Sequence, residues 1–207
     1  MLQLDMALAR ARYGAWLQGV PPIIQEDAQA PFVFTGLRHP LLVWHHRRSN
    51  DREVVPVSLE VSSDVRVVAI TGPNTGGKTV TLKTVGLAVI MARAGLLLPC
   101  IGRPSLPWCG LVLADIGDEQ SLQQSLSTFS GHIIRISRIL KVINKSSATS
   151  LVLLDEVGSG TDPTEGTALA IALLKAFADS SRLTIATTHF GELKALKYND
   201  KRFENAS

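Results

Sequence analysis

The sequence predicts an α/β protein with a mostly parallel sheet flanked by helices, and three observations support this fold class. Apolar runs typical of strands alternate with helical patterns from residue 65 onward. The run Leu151–Leu154 is continuously apolar, as in a strand covered on both faces. Polar residues follow the predicted strands directly, at the carboxyl edge where parallel sheets bind ligands. A leading helix and a short β-rich section precede this part.

The N-terminal section predicts one helix and several short strands. Residues Leu4–Leu17 are good helix formers, and Gly19 with the two prolines after Val20 ends the pattern. From residue 23 to 64 the strand candidates are Phe32–Phe34, Leu41–Trp44 and Val54–Val57, with a turn at 49–51. We expect the basic cluster His45–Arg48 to lie in a solvated loop.

The stretch from Gly72 to Thr79 fits the phosphate-binding pattern G-x-x-x-x-G-K-[ST]. The apolar run from Val65 to Ile70 precedes it, and a helical pattern follows from Lys78 to about Arg93, so the motif stands in the required strand–loop–helix setting. Glycines let successive backbone N–H groups point at a phosphate, and the helix N-terminus attracts the same anion. We therefore expect ATP here, contacted by Gly72, Pro73, Asn74, Thr75, Gly76, Gly77, Lys78, Thr79 and Val80.

Within this site, two side chains have separate chemical roles. The Lys78 ammonium is expected to reach the β- and γ-phosphates, and the Thr79 hydroxyl is expected to ligate Mg²⁺. The alternative, a glycine-rich turn that binds nothing, is disfavoured by the setting and by a second motif downstream.

Further strands and helices follow the phosphate loop. Gly95 is a plausible end for the first helix, and Leu111–Ala114 predicts a strand that ends in Asp115. A polar stretch then precedes an amphipathic helix, whose buried stripe we expect to be Ile133, Ile136, Leu140 and Ile143. A helix over about 164–178 and a strand over 183–187 complete the pattern.

The pair Asp155 and Glu156 follows four apolar residues, which is the second half of an ATPase signature. An aspartate at a strand end can hold Mg²⁺, and a neighbouring glutamate can deprotonate the attacking water. His189, at the end of the last predicted strand, suits a sensor of the γ-phosphate. A pair of acidic strand caps and a structural histidine are the alternatives.

Two hydroxyl-rich segments have a simpler interpretation as helix starts. Asp162 followed by Pro163 fits the first positions of a helix. The segment 125–132 also opens a helix, and from physics alone its hydroxyls cap that helix.

Composition indicates a chain of one domain that is large enough to bury a core. The 207 residues carry a net charge of +3 with dispersed basic side chains, which does not establish nucleic-acid binding. Cys100 and Cys109 form no metal-ligand pattern, so we expect free thiols in a reducing compartment. With no signal peptide or membrane span recognised, we expect a bacterial cytoplasmic or an organellar protein with no membrane partner.

The motifs as a group resemble the ATPase core of the MutS family, and within it the second-type MutS proteins of bacteria and organelles, which are associated with suppressing recombination. The resemblance covers nearly the whole chain and rests on these segments: Gly72–Lys83, Asp115–Leu122, Gln124–Ser130, Asp155–Gly166, Thr187–His189 with Glu192–Lys194, Arg38–Pro40, Ala11–Tyr13 and Asn205–Ser207.

The resemblance implies an ATPase of the ABC class that works as a homodimer on DNA, with ATP and Mg²⁺ as cofactors. It implies that Ser127 contacts the nucleotide of the partner subunit, that Asp162 lies in a segment between the two sites, and that Asp118 and Glu119 lie near Mg²⁺ and water. Catalysis would involve Glu156, His189 and Lys78, and metal binding would involve Thr79 and Asp155.

The resemblance also implies a division at residue 20. Residues 1–20 would end a preceding helical domain, and 21–207 would form the ATPase domain, which stops before the last strands and dimer-swapping helices of a complete core. We expect neither the family's clamp and nuclease domains nor endonuclease activity in this chain. The expected function is ATP-driven clamping on branched or mismatched DNA, in recombination control or repair. Two alternatives remain open: a non-catalytic ATP-binding module and an ATPase that splits stalled ribosomes. A transporter ATPase subunit is disfavoured, because the sequence lacks the segment Leu-Ser-Gly-Gly-Gln.

Overall fold

The computed structural model describes residues 2–49, 53–72, 76–117 and 125–206, with the backbone alone for 125–128. Its contacts divide the chain into two compact units. The first unit contains residues 1–63 and 83–109, and the second contains 64–82 and 110–207.

The helices are α1 (Leu2–Leu17), α2 (Pro40–Ser49), α3 (Lys78–Arg93), α4 (Ser125–Asn144), α5 (Pro163–Ser180) and α6 (Leu196–Asn199), with a 3₁₀ helix at Gly191–Ala195. The strands are β1 (Ile23–Gln25), β2 (Phe32–Leu37), β3 (Val57–Val61), β4 (Val67–Thr71), β5 (Ile101–Pro107), β6 (Leu111–Asp115), β7 (Ser150–Leu154), β8 (Leu183–Thr188) and β9 (Phe203–Ala206).

The first unit contains a mixed sheet with strand order β1-β5-β2-β3. Alternate residues of β2, Phe32 and Phe34, are fully buried, as the two-residue period of a half-buried strand requires. Leu17 at the end of α1 and Leu98 before β5 are buried in the same unit. The predicted β-rich section is therefore confirmed, and β5 extends its sheet with residues from beyond α3.

Two of the predicted strands in this section are wrong. Leu41–Trp44 lies in α2, which begins at Pro40, a residue whose fixed φ suits the first helical position. The basic cluster His45–Arg48 forms the end of the same helix, where positive charge is favourable, and is not a loop. The strand predicted from Val54 begins only at Val57, after Pro56. The predicted turn at 49–51 falls partly outside the described residues.

The second unit contains a five-stranded sheet with strand order β6-β7-β8-β4-β9, and each neighbouring pair is parallel. All residues of β4, β7 and β8 are buried. Because every backbone polar group of these strands can bond to a neighbour, continuous apolar runs are stable at the centre of the sheet. The predicted fold class, an α/β protein with a mostly parallel sheet flanked by helices, is confirmed.

Helix α4 packs on this sheet through a stripe that differs slightly from the predicted one. Ile136, Ile139 and Ile143 are buried in one cluster with residues of β7 and α5. Ile133 and Leu140 are only partly buried. The observed spacing of three and four residues still follows the helical period.

The predicted ends of two helices are confirmed by their backbone geometry. Gly95 has a φ of +71°, and the amides of Gly95 and Leu96 bond to the carbonyls of Ala92 and Met91, which is the arrangement of a Schellman cap. At the start of α5, the Asp162 carboxylate accepts hydrogen bonds from the amides of Thr164 and Glu165. Pro163 occupies the first turn of that helix, as predicted.

Both cysteines are thiols outside any disulfide, as predicted, and both are buried. Burial raises the pKa of the Cys100 thiol to about 11, although the charge of Arg38 opposes this. The thiol is therefore neutral and unreactive near pH 7. In the described part of the chain, no helix has the length and apolarity that crossing a membrane requires.

Candidate active site

Three strands of the second unit bring the predicted catalytic residues to one edge of the sheet. The phosphate loop follows β4, the Asp155–Glu156 pair follows β7, and His189 follows β8, which lies between the other two. Because the strands are parallel, all three ends lie at the same edge. Neighbouring strands are about 4.8 Å apart, so the ends of β4 and β7 are separated by about 10 Å.

The described glycines of the phosphate loop leave room for an anion. Gly77 has a φ of +75°, a conformation that side chains other than glycine rarely adopt. A Cβ atom built on Gly72, Gly76 or Gly77 would meet no atom of the described residues within 4 Å, so these residues leave open space beside the backbone at all three positions. This space, at the N-terminus of α3, fits a phosphate group.

Lys78, the first residue of α3, points back toward the loop. Its side chain is 5% exposed, and its Nζ donates a hydrogen bond of 2.5 Å to the carbonyl oxygen of Gly72. The ammonium group therefore already lies beside the loop backbone. Thr79 is half-buried one residue later, and Val80 is 41% exposed.

Asp155 is 7% exposed and is held by a hydroxyl group of the neighbouring strand. The Thr187 Oγ1 atom donates to Asp155 Oδ1 at 2.5 Å. Among the residues that the structure describes, no lysine, arginine or histidine forms an ion pair with this carboxylate. Asp155 thus offers a carboxylate that these residues do not neutralise, and a carboxylate oxygen is the ligand type that Mg²⁺ prefers.

Glu156 and His189 contact each other directly. Glu156 Oε1 lies 3.0 Å from His189 Nε2, and the two side chains are 18% and 39% exposed. Glu156 has a φ of +51°, which is uncommon for a residue other than glycine and turns the chain sharply after β7. The structure thus brings two of the predicted catalytic groups, the water-activating carboxylate and the sensor, into one hydrogen-bonded pair.

A second buried carboxylate lies at the end of β6. Asp115 is 3% exposed, and it accepts a hydrogen bond from Arg135 Nε and contacts His132 Nδ1 at 2.7 Å. Both partners lie on one face of α4, three residues apart. The contact fixes α4 against the end of the sheet.

A cavity opens between α4 and the segment that follows β7. Phe129, His132 and Ile133 line it on the helix side, and Asp155, Glu156 and Ser159 line it on the other side. The segment is shaped by a close approach: a Cβ atom on Gly158, which has a φ of +85°, would lie 2.4 Å from the carbonyl oxygen of Gly166. Only glycine fits there.

Several predicted site residues lie outside the description. Pro73, Asn74 and Thr75 of the phosphate loop are not described, and neither are Asp118 and Glu119. Ser127 lies in the first turn of α4, where the backbone alone is described. Among the described residues, no group of three or more His, Cys, Asp or Glu side chains could hold a metal ion unaided.

Sequence reasoning did not identify two contributors to this edge of the sheet. Both stand in segments that carry the family resemblance, Asp115 at the end of a strand and Thr187 shortly before His189, but the sequence predicts no role for either of them. Their partners lie far away in sequence: 32 residues separate Thr187 from Asp155, and 20 separate Arg135 from Asp115. Buried polar residues at the ends of predicted strands were the available signal.

Comparisons with known proteins show the family to which this chain belongs. The family model described as MutS domain V matches residues 68–207. The chain is similar to the protein named Endonuclease MutS2 of Synechocystis sp., with 56% identity over 221 aligned positions that cover 99% of this chain and 27% of that protein. It is similar also to Endonuclease MutS2 of Staphylococcus aureus strain Newman, with 48% identity over 100% of this chain and 25% of that protein.

The chain thus spans about a quarter of the length of these curated relatives. The matched region holds the phosphate loop, the Asp155–Glu156 pair and His189. The chain belongs to the MutS family, and its matched region is domain V of that family, a P-loop ATPase domain.

Proposed function

We propose that this chain binds ATP with Mg²⁺ and hydrolyses it, and that the nucleotide state controls the closing of a dimer on DNA. The observation that supports hydrolysis most directly is the arrangement at the edge of the parallel sheet. A glycine loop with an inward-turned lysine, a buried carboxylate and a hydrogen-bonded Glu156–His189 pair all lie there.

In this proposal, the backbone of residues 72–77 and the N-terminus of α3 bind the phosphates, together with Lys78. The side chains of Thr79 and Asp155 would hold Mg²⁺, which would supply positive charge beside the phosphate oxygens. Lys78 exchanges its bond to the Gly72 carbonyl for a stronger, charge-assisted bond to phosphate.

Glu156 accepts the proton of the attacking water in this proposal, because its partly exposed carboxylate lies next to the proposed metal ligand. His189, at 3.0 Å from Glu156 Oε1, orients that carboxylate and senses the γ-phosphate. Ser127 of a second copy completes the nucleotide site, as the resemblance implies.

The DNA-binding part of the proposal rests on the relatives, since two proteins named Endonuclease MutS2 match almost the whole chain. We propose branched or mismatched DNA as the partner, and control of recombination or DNA repair as the role. The chain corresponds to only a quarter of those relatives, so clamping involves parts of the longer proteins as well.

We further propose that residues 1–20 end a preceding helical domain. The apolar side chains of Leu2, Leu4, Met6 and Leu8 in α1 are 78%, 71%, 48% and 46% exposed. Residues two apart lie on different sides of a helix, so these side chains expose apolar groups around α1, as in a helix that other parts of a protein surround.

The decisive experiment measures steady-state ATP hydrolysis against protein concentration, with and without branched DNA. We expect specific activity to rise with concentration, because two copies complete one site, and Glu156→Gln to lower turnover about 100- to 10,000-fold while ATP binding persists. Glu60→Gln, which removes an exposed carboxylate on β3, is the matched control.

Two outcomes would redirect the proposal. ATP binding without turnover at any protein concentration would favour the non-catalytic binding module. Stimulation by ribosomes or RNA and not by DNA would favour the ribosome-splitting alternative.

A further inference from the structure

We infer that Thr187 is a positioning residue that holds both Asp155 and Glu156 in the arrangement that a Mg²⁺–nucleotide complex requires. This inference rests on the proposed function, because it concerns the same site. Thr187 itself contacts neither substrate nor metal in this assignment, and it acts through its two neighbours on the adjacent strand.

Three hydrogen bonds join Thr187 to the segment after β7. Its Oγ1 donates to Asp155 Oδ1 at 2.5 Å and accepts from the Glu156 amide at 2.8 Å. Its carbonyl oxygen accepts from the Val157 amide at 3.0 Å. The residue is fully buried, so water does not compete for these bonds.

The direction of each bond follows from the chemistry of the groups. A backbone amide can only donate, so the hydroxyl must accept from Glu156. Its single proton is then free to point at the carboxylate of Asp155, which accepts it. The hydroxyl therefore fixes Asp155 Oδ1 and, with it, the direction in which the second oxygen of the same carboxylate lies.

The same hydroxyl stabilises the turn at Glu156. A φ of +51° is unfavourable for a glutamate and persists only where surrounding contacts enforce it. The hydroxyl and the carbonyl of Thr187 together hold two successive amides on either side of that turn. A loss of the hydroxyl would therefore affect the proposed metal ligand and the proposed base at once.

A purely structural threonine on the same strand provides the comparison. Thr184 is also fully buried, and its hydroxyl pairs with Ser181 Oγ at 2.8 Å, at the opposite end of β8. Replacing either threonine with valine removes one buried, hydrogen-bonded hydroxyl. Of these two threonines, only Thr187 is bonded to the Asp155–Glu156 segment.

The test compares Thr187→Val, Thr187→Ser and Thr184→Val by equilibrium binding of a fluorescent ATP analogue across a Mg²⁺ titration, with a parallel series in EDTA. Losses of contacts that orient metal ligands typically weaken metal affinity by about 10- to 100-fold. We expect Thr187→Val to raise the midpoint Mg²⁺ concentration by that factor, while its binding in EDTA changes little.

Thr187→Ser keeps the donor and should restore the wild-type midpoint. Thr184→Val should also keep that midpoint, even if its thermal unfolding temperature falls as far as that of Thr187→Val. Should Thr187→Val fail to fold, the serine variant and Thr187→Ala carry the same comparison of a retained and a removed hydroxyl.

A wild-type midpoint in folded Thr187→Val or Thr187→Ala would overturn the inference, and so would equal shifts in Thr187→Val and Thr184→Val. A serine variant that shifts as far as the valine variant would overturn it too. If the wild-type protein shows no Mg²⁺-dependent binding of the analogue, the proposed function fails, which is a separate result.

Discussion

Asp115 and Asp155 lie at the ends of adjacent strands, yet they have different partners. Asp115 is the last residue of β6 and pairs with Leu154, whereas Asp155 is the first residue after β7, and its amide bonds to the Asp115 carbonyl at 2.9 Å. Both are buried, at 3% and 7% exposure. Asp115 contacts the side chains of Arg135 and His132, whereas Asp155 accepts a bond from the uncharged hydroxyl of Thr187.

The difference indicates which carboxylate is available to a metal ion. A buried charge must be compensated, and Arg135 supplies that compensation to Asp115 within the protein. Among the described residues, Thr187 orients Asp155 and no cationic side chain pairs with it, so a cation bound there would have a carboxylate that these residues do not neutralise. The two aspartates follow similar apolar runs in the sequence, and they differ in the side chains that they contact in the folded structure.

The largest expected effect comes from Asp155→Asn, which keeps the shape of the side chain and removes its charge. If Asp155 ligates Mg²⁺, the Mg²⁺ concentration for half-maximal ATP binding should rise by at least about 100-fold. Losing a group that only orients a metal ligand weakens metal affinity by up to about 100-fold, and losing the ligand itself should weaken it at least as much. A Mg²⁺ titration with a fluorescent ATP analogue measures this. An unchanged midpoint would show that Asp155 does not ligate Mg²⁺, and the proposed difference between Asp155 and Asp115 would then be wrong.

A smaller effect of a different kind is expected from Asp115→Asn. Bonds between a buried carboxylate and charged donors contribute about 1.5–3 kcal/mol, so the free energy of unfolding should fall by that amount. Arg135 is 47% exposed and can be hydrated, which favours the lower end. Urea unfolding measures the loss. A Mg²⁺ midpoint that shifts as far as in Asp155→Asn would contradict the assigned difference.

A third aspartate gives the smallest effect. Asp162 is exposed, and its carboxylate accepts from two backbone amides at the start of α5, at 2.9 and 3.3 Å. Asp162→Ala should reduce the free energy of unfolding by about 0.5–2 kcal/mol, because a helix cap is lost. Asp162→Asn, which can still accept these bonds, is the control for thermal or urea unfolding. Equal losses of stability in both variants would show that the negative charge near the N-terminus of α5, and not the capping hydrogen bonds, stabilises the helix.

The sequence was sufficient to predict the central strands and the acidic residues at their ends. Runs such as Leu151–Leu154 are buried on both faces, so their composition alone indicates a strand. The phosphate loop was equally predictable, because its glycines and lysine stand at fixed spacing between a strand and a helix. Helix α3 accordingly begins and ends where the pattern indicated.

Partners across the sheet could not be predicted, because they depend on strand order and helix placement. Thr187 meets Asp155 only because β8 lies beside β7. Short apolar runs were ambiguous for a related reason: Leu41–Trp44 suits a strand and a helix equally, and Pro40 decides for the helix. Strand β5 contains Gly102, Pro104 and Pro107, residues that are unfavourable in strands, so local preference did not indicate it.

The bonds from Glu156 and Val157 to Thr187 have a consequence for hydrogen–deuterium exchange. Both amides follow the last residue of β7, in a segment that would otherwise exchange quickly, yet each is bonded to the buried strand β8. Their exchange with solvent therefore requires separation of the segment from β8, as for amides inside the sheet. The Glu156 amide is protected by the Thr187 hydroxyl, and the Val157 amide is protected by the Thr187 carbonyl. Exchange at Glu156 therefore measures the loss of the side-chain bond, and exchange at Val157 measures separation from the backbone of β8.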